Sequence, residues 1–211
     1  MIGPNGSGKT TCVNLLTGFY KPDSGTITFQ GEQIQGRPPY AVCRKGIART
    51  FQIPKPLKML TVVENVMVGH IFGRHGERKV GPAKARAIDI LKQTGLTKQL
   101  DSPANSLTPS QCRRLEIARA LATSPKLLLL DEVMAGLSTA ESEELVELVR
   151  SVRNSGVTIF MIEHVMRIVM SLCERLIVLN FGEKICEGSP EKIKCDANVV
   201  SAYLGSRGGL G

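Results

Sequence analysis

Gly3-Pro4-Asn5-Gly6-Ser7-Gly8-Lys9-Thr10 (GPNGSGKT) is the stretch that decides the fold. It fits G-x-x-x-x-G-K-[ST] without a gap, and each fixed position has a physical reason. The glycines let successive backbone N–H groups turn inward as an anion cradle, and a helix starting at Lys9 adds the positive end of its dipole. Lys9 supplies a cation for β- and γ-phosphate oxygens, Thr10 offers a hydroxyl to Mg²⁺, and Thr11 belongs to the same phosphate-binding set. A glycine-rich turn before a helix would not by itself require the Lys and Thr.

Working outward, Lys9–Thr17 reads as a helix with Val13 and Leu16 on one face, closing near Gly18. Pro22, Asp23 and Gly25 make a turn. Thr26–Gln30 and Ile47–Gln52 read as short strands, and Thr61–Val68 and Ala83–Thr94 as helices, the latter stopped by Gly95. In the second half, the apolar run Leu127–Leu130 ends in Asp131 and Glu132, as a buried parallel strand does when its carboxyl end emerges at a site. Ala140–Asn154 carries Leu145, Leu148, Val149 and Val152 at helical spacing, with Gly156 to stop it. Val157–Ile162 is a second buried strand, followed by Glu163 and His164, and Leu176–Leu179 pairs with Glu183–Glu187 around Asn180, Phe181 and Gly182.

Strands alternating with helices predict an α/β fold with a mostly parallel sheet. The expected organisation is one domain: 1–52 as the first part of a core, 53–125 as an inserted helical lobe, 126–205 as the second part, and 206–211 as a flexible tail. A length of 211 residues with 42% hydrophobic content is enough for one compact core.

Asp131 is placed to hold a metal through water, and Glu132 beside it to polarise an attacking water as general base. His164, after the next buried strand, falls on the same sheet edge, within reach of a γ-phosphate. Ser138 and Glu141 form an S-x-x-E capping box for the helix that follows.

No apolar run approaches the ~20 residues of a membrane span, and the N-terminus lacks signal-peptide features, so a cytoplasmic location is expected. The six cysteines (Cys12, Cys43, Cys112, Cys173, Cys186, Cys195) form no C-x-x-C pair and read as reduced thiols. The net charge of +8 is uneven: residues 37–86 hold eleven Lys and Arg against Glu64 and Glu77. Such a segment suits nucleic acid, lipid headgroups, an acidic partner or simply solvent. Aromatics at 4%, with no Trp, argue against stacking on single-stranded nucleic acid.

Taken in order along the chain, these motifs resemble the nucleotide-binding subunits of ABC transporters. Ala48-Arg49-Thr50-Phe51-Gln52 looks like that family's Q-loop, Ala135-Gly136-Leu137-Ser138 like its D-loop, and Ile162-Glu163-His164 like its switch-histidine segment. The resemblance implies a P-loop NTPase (RecA-like) core with an inserted helical subdomain. It also implies ATP and Mg²⁺ as cofactors, with Gln52 a Mg²⁺ and water contact that senses the transmembrane partner. The phrases IARTFQ (47–52), LTVVENVMVG (60–69), RRLEIARAL (113–121), DEVMAGL (131–137) and AYLG (202–205) are similar to ATPases of branched-chain amino acid importers, and importers of urea and amides share much of this wording.

Two positions depart from the family. Its LSGGQ signature stands here as Leu107-Thr108-Pro109-Ser110-Gln111. The resemblance assigns Thr108, Ser110 and Gln111 to the ATP site of a second subunit. Pro109 removes a backbone donor there, and Ser110 adds a side chain where backbone approaches phosphate. Val133 replaces a common Pro and touches no expected contact. The family also carries upstream strands and an adenine-stacking aromatic, whereas only Met1 and Ile2 precede Gly3, so N-terminal strands are expected to be absent, through a truncated product or a misplaced start. The loop's base should then fray and nucleotide affinity fall.

The function so implied is ATP hydrolysis powering branched-chain amino acid uptake at the cytoplasmic face of the membrane. Its partners would be a second ABC ATPase subunit, two transmembrane permeases and, indirectly, an extracytoplasmic solute-binding protein, with no nucleic acid. The alternatives are a degenerate or regulatory subunit that does not hydrolyse, a urea or amide importer ATPase, and a non-transport ABC ATPase acting on nucleic acid.

Overall fold

The computed structural model describes residues 1–74, 76, 79–196, 199 and 202. Most of AYLG (202–205), the 206–211 tail, and Glu77 of the basic stretch lie outside the described residues. In chain order the elements are α1 (Lys9–Leu16), β1 (Thr28–Phe29), β2 (Glu32–Gln33), α2 (Pro39–Lys45), β3 (Ile47–Arg49), α3 (Val62–Phe72), α4 (Val80–Gln93), α5 (Pro109–Ala122), β4 (Leu127–Asp131), α6 (Thr139–Asn154), β5 (Thr158–Ile162), α7 (Met166–Leu172), β6 (Leu176–Asn180), β7 (Glu183–Gly188) and α8 (Pro190–Lys194).

β4 is the middle strand of a parallel sheet ordered β3-β4-β5. Its leucines are covered on both faces, which is why the run is unbroken rather than alternating. The register sets Arg49 opposite Leu129 and Asp131 opposite Ile162, so the carboxyl ends of three strands finish along one edge. That alignment gathers Asp131, Glu132, Glu163 and His164, which are far apart in sequence, and makes the site possible.

β6 and β7 form an antiparallel hairpin, and Met1 and Ile2 stand between β5 and β6. Ile2 bridges Val178 in parallel, donating to Ile177 O (2.9 Å) and accepting from Leu179 N (2.9 Å). The Met1 amino group donates to Met161 O. These bonds join the base of the loop to β5 and β6. Two residues suffice to make both ladder bonds to β6, and Ile2 is 1% exposed in a cluster with Val169, Leu176, Val178 and Ile193.

The largest apolar cluster joins α3, α4 and α5 to β4 and α6, through Val66, Leu91, Leu115, Leu121, Leu128 and Leu145 among others. A second, containing Val13, Val42, Ile47, Leu129 and Ile162, packs α1 and α2 onto the other face of the sheet. Three capping boxes start the helices at these seams: Thr61 with Glu64, Thr108 with Gln111, and the expected Ser138 with Glu141.

β1 and β3 are shorter than their sequence patterns over 26–30 and 47–52, whereas β4, β6 and β7 each run one residue further than theirs. Gln30 (φ 51°) and Gly31 (φ 81°) turn the chain from β1 into β2, and left-handed backbone at both positions is what a two-residue hairpin requires. The segment after β3 leaves the sheet once Thr50 N has bonded Leu129 O (2.9 Å). α2 and α7 have no counterpart in the sequence analysis. Each spans seven residues, too short for an apolar period to stand out, and both are held by tertiary burial of Val42 and of Ile168, Val169 and Leu172.

Leu129→Ala, at a fully buried position of β4, is expected to lower the unfolding free energy by about 2–5 kcal/mol in urea titration, whereas Met59→Ala, at a position 95% exposed, should change it by less than about 0.5 kcal/mol.

Candidate nucleotide and metal site

The Gly3–Thr10 loop is fixed from three sides. Gly3 (φ 155°) sits so close to the hairpin that an added Cβ would lie 2.2 Å from Leu179 O and 2.6 Å from Ser7 Oγ, so no side chain fits. Gly182, in the β6–β7 turn, donates its N–H to Ser7 O (3.0 Å). Lys9 Nζ folds back to donate to Gly3 O and Pro4 O (both 2.8 Å), and it also reaches Ser7 Oγ (3.5 Å). Partial burial lowers the Lys9 pKa, and the negative charges of Glu132 and Asp131 oppose that shift. The lysine is thus within electrostatic reach of both strand-end carboxylates.

The cradle fits phosphate on observations of its own. Around Gly6 (φ 78°) an added Cβ would meet nothing within 4 Å, and Asn5 and Gly6 are exposed. Their N–H groups have no protein acceptor among the described residues. Thr10 and Thr11 lie exposed in the first turn of α1, which contains no acidic side chain to compete with an anion at the dipole's positive end.

Glu132 leaves β4 in a left-handed conformation (φ 49°), with its N–H bonded to Ile162 O at 3.0 Å. A non-glycine residue held there costs about 1–3 kcal/mol. The turn aims its carboxylate between two other sequence-predicted residues: Oε2 accepts from Gln52 Nε2 at 2.7 Å, and Oε1 lies 4.0 Å from His164 Nδ1. Asp131 is 4% exposed and accepts from Arg49 at 3.0 Å. The three expected metal contacts, Thr10, Gln52 and Asp131, all offer oxygen donors, the chemistry Mg²⁺ prefers. Among the described residues no cluster of three or more His, Cys, Asp and Glu forms a metal cage. A single carboxylate supplemented by substrate phosphates is the usual Mg²⁺ arrangement instead.

Thr108, Ser110 and Gln111 stand apart, at the start of α5. Thr108 Oγ1 accepts from Gln111 N (3.3 Å) and Gln111 Oε1 accepts from Thr108 N (3.0 Å), while Pro109 occupies the first helical turn, where its missing N–H costs no intrahelical bond. No hydrogen bond among the described residues joins them to the Gly3–Thr10 loop of the same chain.

Sequence reasoning missed the residues that hold this machinery in place. From α5, Arg113 donates to Phe51 O, Gln52 O and Ala135 O. Glu116 accepts from Phe51 N (3.3 Å) and Arg119 donates to Lys55 O (2.8 Å). Burial raises the Glu116 pKa, against its backbone hydrogen bonds and the two flanking arginines. The signal was present: R-x-x-E-x-x-R spaces Arg113, Glu116 and Arg119 three residues apart along one side of the helix. Glu163, 1% exposed, accepts from Met134 N at 3.1 Å and so joins the switch segment to the stretch after Glu132; burial dominates its raised pKa.

The family profile described as "ABC transporter" matches residues 1–135, and that of "Branched-chain amino acid ATP-binding cassette transporter" matches residues 183–208. The chain is 41% identical to the high-affinity branched-chain amino acid transport ATP-binding protein BraF of Pseudomonas aeruginosa, an alignment covering 97% of this chain and 86% of that protein. It is 40% identical to LivG of Escherichia coli, with the same coverage. Among solved structures it is similar to the ADP conformation of an ATP-binding cassette of an ABC transporter, with a TM-score of 0.85 and 34% identity over 97% of this chain and 86% of that one. The nucleotide-free form of an ATP-binding cassette matches with a TM-score of 0.84, also at 34% identity, over 96% of this chain and 85% of that one. With its parallel β3-β4-β5 sheet and phosphate loop, the chain belongs to the ABC transporter family as an ATP-binding cassette subunit.

Proposed function

We propose that this chain binds Mg²⁺·ATP through Gly3–Thr11 and hydrolyses it to power uptake of branched-chain amino acids. Two transmembrane permeases would carry the solute, with the chain working at the cytoplasmic face of the membrane. The observation that carries the catalytic reading is Glu132, whose strained backbone aims its carboxylate between Gln52 and His164. The relatives' branched-chain amino acid names support the substrate class.

In this mechanism Lys9 exchanges the carbonyls of Gly3 and Pro4 for β- and γ-phosphate oxygens, and the loop N–H groups receive the remaining phosphate charge. Thr10 and Asp131, with Gln52, would hold Mg²⁺, which when bound neutralises charge on the phosphates. Glu132 accepts the proton of the attacking water, the Gln52 amide orients that water, and His164 donates to the γ-phosphate. Thr108, Ser110 and Gln111, at the start of α5, would face the ATP of a second ATPase subunit. The altered signature at Pro109 and Ser110 favours a second reading: a regulatory half that hydrolyses at its own loop only when its partner's signature is intact.

A groove of about 440 Å³ between α2–β3 and α3–α5 supports the permease partnership. Phe19, Tyr40, Phe51 and Phe72 line it, all exposed, beside Lys55, Glu116 and Arg119. Exposed aromatics in a concave surface rimmed by charge suit a short amphipathic helix, here one from a permease that would touch the backbone held by α5. An extracytoplasmic solute-binding protein would act only through the permeases.

Glu132→Gln keeps an acceptor for Gln52 and loses the base. Steady-state ATP turnover should fall on the order of 10²–10⁴-fold while calorimetric ATP affinity persists, and parent-level turnover would sink the catalytic assignment. Tyr40→Asp with Phe72→Asp should abolish co-purification with the permeases while leaving ATP binding intact. Unchanged co-purification would rule the groove out as their docking site.

A further inference from the structure

Arg49 ends β3, and the parallel register places it opposite Leu129, two residues before Asp131. Its side chain is 9% exposed and crosses the strand ends. There Nη2 donates to Asp131 Oδ2 (3.0 Å), Nη1 to Asn14 Oδ1 on α1 (2.6 Å), and Nε to Thr50 O (3.4 Å). The guanidinium carbon also lies 5.0 Å from the Phe51 ring centroid and 5.7 Å from that of Phe19, and those two rings meet edge to face at 6.1 Å. Neutralising a buried carboxylate needs only a nearby positive charge. Asn14 and the two rings constrain orientation, which a planar fork with fixed donor directions transmits and a point charge does not.

We propose that Arg49 is a positioning residue for the metal ligand. It holds Asp131 by one oxygen, Oδ2, in the orientation that receives Mg²⁺, and anchors that orientation to α1 through Asn14 and to the aromatic pair Phe19–Phe51. The inference rests on the reading of Asp131 as a Mg²⁺ contact. Hydrogen-bonded partners of metal-binding carboxylates commonly set metal affinity in this way. Phe19, Arg49 and Phe51 also line the aromatic groove, so an occupant that moves either ring acts on the same guanidinium that orients Asp131.

The test compares the parent chain with Arg49→Met, Arg49→Lys and Asp131→Asn. ADP affinity is measured by calorimetry in EDTA, and Mn²⁺ affinity of the ADP complex by electron paramagnetic resonance. Both Arg49 variants should bind Mn²⁺ roughly ten- to a hundredfold more weakly than the parent, with ADP affinity in EDTA unchanged. Parent-like Mn²⁺ affinity in Arg49→Lys would show that charge alone suffices and overturn the proposal. A parallel loss of metal-free ADP affinity would also overturn it, since Arg49 would then merely support the fold. If Arg49→Met does not fold, Asn14→Ala removes one anchor and spares the ion pair. It should weaken Mn²⁺ binding in the same selective way, and no weakening counts against the proposal. Undiminished Mn²⁺ binding by Asp131→Asn would remove the metal-ligand reading and this inference together. Its loss there, with both Arg49 variants parent-like, would remove the inference alone.

Discussion

The parallel ladder on both sides of Leu127–Asp131 is the constraint on which the rest of the molecule depends. Parallel strands in register must end together, and here three of them end where Arg49, Asp131 and Ile162 stand. The residues just beyond supply a carboxylate, a glutamine and a histidine to one edge, and α1 brings the phosphate loop to the same edge by packing Val13 against Leu129 and Ile162. The leucines that bury the ladder thus also fix the distances among the polar groups at its end. The hairpin β6–β7 adds the last restraint by bonding Ile2 on one side of Gly3 and Ser7 on the other.

Polar contacts then link segments that the ladder alone would leave loose. α5 holds the backbone from Phe51 to Lys55 through Arg113, Glu116 and Arg119, and Arg113 also reaches Ala135. Glu163 ties the switch segment to Met134. Each is a side chain bonded to main chain, so a small displacement of α5 moves the Gln52 carbonyl rather than only a neighbouring side chain. The groove's Phe51 belongs to the same stretch. Phe51 thus adjoins Gln52 in the chain and stacks on the Arg49 guanidinium that bonds Asp131.

Much of this was legible before any coordinates. The phosphate loop, the buried strand with its acidic end, the Ser138–Glu141 cap and the strand pair around Gly182 are local patterns whose physics is complete within a few residues. The elements that escaped notice depend on distant ones. α2 and α7 are too short to show a period and exist because Val42 and Ile168 find a core. The strand pattern over Ile47–Gln52 overran its observed end because apolar and β-prone residues continue past the point where Arg113 and Glu116 capture the chain.

The sequence by itself determined the chemistry available to this protein: a cradle for phosphate, oxygen donors for a hard cation, and a glutamate and a histidine placed just after buried strands. Only the tertiary structure decided that Glu132 would be aimed between Gln52 and His164, that Arg49 would grip Asp131 across 82 residues of chain, and that Ile2 would be locked into β6. The reason is that turn and helix preferences act between near neighbours, whereas the orientation of a buried charge is set by every group that packs around it. Those groups come together only when the sheet has formed.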